Sequence, residues 1–116
     1  MDYESQLKKY INVLVHEGAS DIHFSAGAHP TIRVAGSLAP MLKEQVLTSE
    51  DALGFLKVLV SADHEKHFEE TQEIDFSYAY SAKARFRGNA FFERGHLGVS
   101  LRLISNVFRT VAARNL

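Results

Sequence analysis

Arginine is the residue type in this sequence best equipped for chemistry, and it is unevenly placed. Six of the seven arginines (Arg85, Arg87, Arg94, Arg102, Arg109 and Arg114) lie in residues 82–116, where seven basic side chains meet one acidic one. Residues 1–81 reverse the balance with six basic and 13 acidic, so the net charge of -1 conceals a dipolar chain. Arginine chosen over lysine suits forked, two-bond recognition of phosphate or carboxylate. The bland alternative is a basic half that neutralises an acidic half. Histidine is the second candidate. His64 and His67 stand three apart beside Glu65 and Glu69 and share a helix face, but a metal there needs further ligands and shelter from water, so a solvated face is the favoured reading. His23 lies two residues after Asp21 on a strand, which puts both on one face. The pair could hold a metal; the preferred reading is a hydrogen bond that steadies a sheet edge. No metal site is expected.

What the sequence lacks narrows the field. With no cysteine there is no disulfide frame, thiolate zinc site or cysteine nucleophile. No Gly-x-x-x-x-Gly-Lys-Ser/Thr is present, so the backbone cradle and lysine that hold a triphosphate are missing and the chain alone is not expected to hydrolyse ATP or to bind a cofactor. There is no Gly-x-Ser-x-Gly elbow either. No apolar run approaches the roughly 20 residues of a spanning helix, and the first residues are acidic where a signal peptide is basic. A cytoplasmic protein without direct membrane insertion is expected. Its 116 residues, 46% of them hydrophobic, suffice for one core.

The elements that must position the arginines follow from hydrophobic period. Leu7, Tyr10, Ile11, Leu14 and Val15 predict a helix over about 3–17, stopped at Gly18. Ile22 and Phe24, then Ile32 and Val34, predict short strands, and Ala35-Gly36-Ser37 turns into a third around 38–42. Thr48 and Asp51 have capping-box spacing before a helix over about 49–60 with Leu53, Phe55, Leu56, Leu59 and Val60 as its stripe. Ser61 caps a polar helix over 62–70 anchored by Phe68. From Glu73 the period is two: Ile74, Phe76, Tyr78 and Tyr80 alternate with polar residues, and 84–94 and 97–105 form a hairpin about Gly95-His96. Setting Arg94 against Leu97 puts Ala90 opposite Leu101 on an apolar face, and Asn89 opposite Arg102 beside Arg85 and Arg87 on the other. The order predicts an α+β fold: an antiparallel sheet with helices packed on one face.

Four segments carry a resemblance: Gly18-Ala-Ser-Asp-Ile-His-Phe-Ser-Ala-Gly27; His29-Pro-Thr-Ile-Arg-Val-Ala-Gly36; Glu73-Ile-Asp-Phe-Ser-Tyr78; and Ala84-Arg-Phe-Arg-Gly-Asn-Ala-Phe-Phe-Glu-Arg94 with Leu101-Arg-Leu-Ile104. In order and spacing over about residues 5–105 they resemble the N-terminal domain of PilT-type pilus-retraction ATPases, of the type II and type IV secretion (GspE/PilT) superfamily. The resemblance implies a PAS-like domain over 1–105, with 106–116 as the start of a linker to a motor domain absent here. It implies a cytoplasmic homohexamer at the bacterial inner membrane that uses ATP and Mg. Its partners would be the motor domains of the same and neighbouring subunits and the pilus or secretion machinery. Arg85, Arg87 and Arg102 would reach nucleotide phosphates; Asp21, His23, Arg33, Asp75 and Asn89 would be interface or structural residues.

Two departures stand out: Gly88 where the family has a branched aliphatic residue, which should weaken the strand, and Ser105 where a proline is common. The function expected is a non-catalytic domain of a twitching-motility or secretion motor. The alternative is a stand-alone PAS-like module whose arginine face binds nucleic acid or another polyanion, although the acidic overall balance makes nucleic acid the weaker partner. A third reading, a small-ligand sensor, needs a hollow interior, against which Phe76, Phe86 and Phe92 in the core would argue.

Overall fold

The period-two segments pair into one antiparallel sheet, and the period-3.6 segments cover one of its faces. The computed structural model describes residues 2–81 and 84–106, the side chains of Glu93, Ser105 and Asn106 excepted. In chain order these are α1 (Tyr3–His16), β1 (Asp21–Ser25), β2 (Thr31–Val34), β3 (Ser37–Pro40), α2 (Ser49–Leu59), α3 (Ala62–Thr71), β4 (Glu73–Ser81), β5 (Ala84–Glu93) and β6 (His96–Asn106). The sheet order is β3-β2-β1-β6-β5-β4. Two three-stranded meanders thus meet where β6 returns to pair with β1. The α+β expectation, helices on one face of an antiparallel sheet, is what forms. Of the expected linker, residues 107–116 lie outside the described residues, and Asn106 still belongs to β6.

Local chemistry sets the helix ends. The Thr48 hydroxyl accepts from the Asp51 amide at 3.0 Å and the Asp51 carboxylate accepts from the Thr48 amide at 2.9 Å, the reciprocal capping box. Those bonds hold the Asp51 carboxyl below the usual aspartate value, the Thr48 amide contributing most. The Tyr3 hydroxyl donates to Asp51 at 2.9 Å and ties α1 to α2. Beneath the helices Phe24 of β1 stacks on Phe55 of α2 with ring centroids 4.8 Å apart, and Tyr10 of α1 lies 5.6 Å from each. Burial pushes the Tyr10 phenol up to about 12. Phe86, Val99 and Leu101 complete this layer, and Phe68 anchors α3. Val15 and Leu53, expected in the helical stripes, are instead exposed, as is Phe92.

Both short hairpins turn through two residues with positive φ. Ala35 (51°) and Gly36 (83°) link β2 to β3, and Arg94 (53°) and Gly95 (79°) link β5 to β6. Two left-handed residues give the backbone twist that a tight hairpin needs. The β5–β6 turn is therefore Arg94-Gly95, not Gly95-His96, and Glu93 pairs with His96. From Phe86 to Glu93 that moves every partner by two from the sequence expectation: Ala90 faces Val99 rather than Leu101, and Asn89 faces Ser100 rather than Arg102; a bulge between Arg85 and Phe86 then changes the register by one. An even shift leaves each side chain on its expected face. At Gly88 the ring of the cross-strand partner Phe76 fills the space a Cβ would take. The glycine is a socket for that ring.

Candidate functional site

The sheet face opposite the helices carries Asp21, His23, Arg33, Asp75, Arg85, Arg87, Asn89 and Arg102. Register lines them up in rows across the strands. One row reads Leu38, Arg33, Asp21, Arg102, Arg87 and Ser77 from β3 to β4, and the next reads Pro40, Thr31, His23, Ser100, Asn89 and Asp75. Arg85 stands one position further along β5, opposite Ala79. A groove of about 480 Å³ follows these two rows over β1, β6, β5 and β4.

Asp21 is the buried charge of this face. Its Oδ1 accepts from the Ser20 hydroxyl, and its Oδ2 accepts from Arg102 Nε at 3.1 Å. Burial, the largest single influence, pushes the carboxyl upward, but Ser20, Arg102 and His23 together outweigh it and hold it below the usual value. Arg102 is held through Nε, its side chain is 70% exposed and lines the groove, and its two terminal amino groups have no hydrogen bond or ion pair among the described residues. Arg87, directly opposite Arg102, is exposed and has no hydrogen bond or ion pair among the described residues; the same is true of Arg85. Two arginines are thus direct cross-strand partners, and the carboxylate that pairs with Arg102 lies on its other side, on β1.

The remaining residues are committed locally. Arg33 donates to the Gly36 carbonyl at 3.1 Å, binding the β2–β3 turn. Asn89 donates to Asp75 at 2.9 Å across β4 and β5. His23 is half-buried, with its Nε2 buried and without a partner. Burial depresses its basicity, Asp21 partly restores it, and Arg33 and Arg102 depress it further. The expected hydrogen bond between His23 and Asp21 does not form: the carboxylate is spent on Ser20 and Arg102. Nor is β1 an edge, since β2 and β6 flank it. His64 and His67 are exposed on α3, and among the described residues no three potential metal ligands gather.

Sequence reasoning missed the pairing of Asp21 with Arg102, 81 residues apart. A carboxylate on a strand whose neighbours alternate apolar and polar was its available signal. The face is also less basic than the arginine count suggests: four arginines share it with Asp21, Glu73 and Asp75 among the described side chains. Among the described side chains no hydroxyl is hydrogen-bonded to His23, and the donors of the face suit binding of a small anion.

Comparison with known proteins assigns the fold. The chain is 36% identical over 103 residues to the type IV pilus retraction ATPase PilT of Pseudomonas aeruginosa, covering 84% of this chain and 26% of that protein. To the type IV pilus ATPase PilU of the same organism it is 28% identical over 109 residues, covering 91% and 28%. The crystal structure of the pilus retraction motor PilT with bound ADP superposes with a TM-score of 0.75 at 30% identity, over 81% of this chain and 27% of the motor. The chain carries an N-terminal domain of the PilT-type ATPase superfamily. It spans about a quarter of the length of the relatives it matches. The Legionella pneumophila ATPase DotB shares the fold, with a TM-score of 0.73 at 19% identity over 86% of this chain and 29% of DotB. No family model matches. No helix among the described residues is long and apolar enough to cross a membrane.

Proposed function

We propose that the domain is the non-catalytic N-terminal part of a pilus-retraction or secretion ATPase, and that its open sheet face turns Arg87 and Arg102, with Arg85 beside them, toward the phosphates of a nucleotide held by a motor domain. The observation that carries this reading is Arg87 standing unpartnered and exposed against Arg102. Opposed like charges on a sheet are unfavourable unless something between them compensates, and a phosphoryl group is the anion that guanidinium forks fit. In that setting the arginines stabilise charge during phosphoryl transfer and report it to the sheet. The parent is a cytoplasmic homohexamer using ATP and Mg, docked on the inner-membrane pilus or secretion machinery, with this face against the motor domain of the same or a neighbouring subunit. The three carboxylates on the face weigh against nucleic acid, which would be repelled along an extended track.

The test is ATP turnover by the protein read through its gene frame beyond Leu116, which the proposal requires to encode a P-loop. Arg87→Ala lowers kcat at least on the order of a hundredfold. Unchanged turnover in a variant with unchanged melting overturns the reading.

A further inference from the structure

We infer that Asp21 is a positioning residue of this face, which holds Arg102 alongside Arg87 so that the pair forms a ready-made clamp for one phosphoryl group. The inference rests on the reading just proposed and adds to it a residue that touches no nucleotide. Arg102 and Arg87 are direct cross-strand partners on β6 and β5, and on the other side of Arg102 its direct partner on β1 is Asp21. Left alone, two opposed guanidinium groups swing apart, because each long side chain has many rotamers and mutual repulsion selects the separated ones.

Asp21 removes that freedom for Arg102. The carboxylate is itself fixed, buried on the central strand with the Ser20 hydroxyl on its other oxygen. It takes only the Nε of Arg102, at 3.1 Å. An arginine gripped at Nε still presents both terminal amino groups, the fork that meets two oxygens of a phosphate. Preorganising the donor lowers the ordering cost at the moment of binding.

Asp75 supplies the contrast. It lines the same groove, but its partner is Asn89, and among the described residues it holds no arginine. It acts on a bound anion only through its charge. Two aspartates on one face thus have opposite expected effects, although simple Coulomb repulsion predicts the same effect for both: loss of either negative charge should tighten anion binding.

The experiment titrates inorganic pyrophosphate into the 116-residue chain by calorimetry at low ionic strength, where exposed charges are least screened. The unmodified chain binds, Arg87→Ala and Arg102→Ala each weaken binding roughly tenfold, and Asp75→Asn tightens it about twofold. Asp21→Asn weakens binding about fivefold and adds no further loss to Arg102→Ala, the non-additivity of one residue acting through another. Unchanged or tighter binding in Asp21→Asn overturns the inference, as does absence of binding by the unmodified chain. Should Asp21→Asn fail to fold, Asp21→Glu keeps the charge and displaces it by one methylene: weaker binding supports positioning, and unaltered binding overturns it. Arg87→Ala in the ATP turnover assay judges the phosphate reading separately, so either idea can fall alone.

Discussion

The two faces of the sheet are built from the same strands and obey different rules. On the helix-covered face Phe24, Phe86, Val99 and Leu101 interlock with Tyr10, Phe55 and Leu56, and each is at most 1% exposed. Their energy comes from apolar area removed from water, about 1.5–3 kcal/mol for each large side chain, and depends little on which particular neighbour supplies the cover. On the open face one arginine is held, another is unpartnered, a carboxylate is buried and a histidine nitrogen has no partner. Exposed ion pairs there contribute about 0–1 kcal/mol. One face carries the stability, and the other keeps polar groups that are incompletely satisfied until something binds.

Breaking the covered face gives the largest expected effect. Phe55→Ala removes the ring that stacks on Phe24 and contacts Tyr3 and Tyr10, and should cost about 3–5 kcal/mol in chemical denaturation. A loss below about 1 kcal/mol would show that α2 does not hold the sheet as described. Gly88→Val comes next. The valine meets the Phe76 ring and should cost about 1–3 kcal/mol by overpacking. Because the ring occupies the glycine's missing volume, Phe76→Val in the same chain should recover most of that loss. Failure of the second change to restore the melting temperature would contradict the socket, and would support the reading of Gly88 as a simple weak point in the strand.

That glycine also shows what could be read from sequence. Each strand's apolar alternation names its buried face without any knowledge of its neighbours, and so Ile22, Phe24, Ile32, Phe86, Ala90 and Leu101 were legible one by one. A turn centred on Arg94-Gly95 instead of Gly95-His96 shifts the hairpin by two and leaves those faces untouched. The site is a matter of partners, and partners depend on register. The same shift replaces Asn89 with Arg87 opposite Arg102, and only the meeting of β1 with β6 brings Asp21 to Arg102. Arg94 in a left-handed conformation is what concealed the register, since that position ordinarily selects asparagine, aspartate or glycine. Gly88 shows the same limit: a glycine in a strand reads as weakness until its cross-strand partner is known to be Phe76.

The smallest expected effect sharpens the contrast on the open face, where stability depends on pH in a way that the aromatic layer's does not. His23 lies opposite Thr31 on β2 and Ser100 on β6 and feels the charges of Asp21, Arg33 and Arg102 in the neighbouring row, and its basicity is lowered chiefly by burial. A base depressed in the fold is protonated more readily in the unfolded chain, so the unfolded state binds more protons between the ordinary value of 6.5 and the lowered one. Stability therefore falls as pH drops below 6.5, by at most about 1.4 kcal/mol per pH unit for one proton. Asp21 has its carboxyl depressed, so its contribution is present above its ordinary value of 3.8 and is lost as pH falls through the lower folded value. The two losses begin at different pH, that of His23 below 6.5 and that of Asp21 below 3.8. In urea titrations between pH 7 and 5, His23→Gln should flatten the slope and leave the loss at lower pH in place. An unaltered slope in the variant would mean that the buried, unpartnered imidazole nitrogen costs the fold nothing on protonation, and that the open face is as indifferent to acid as the aromatic layer behind it.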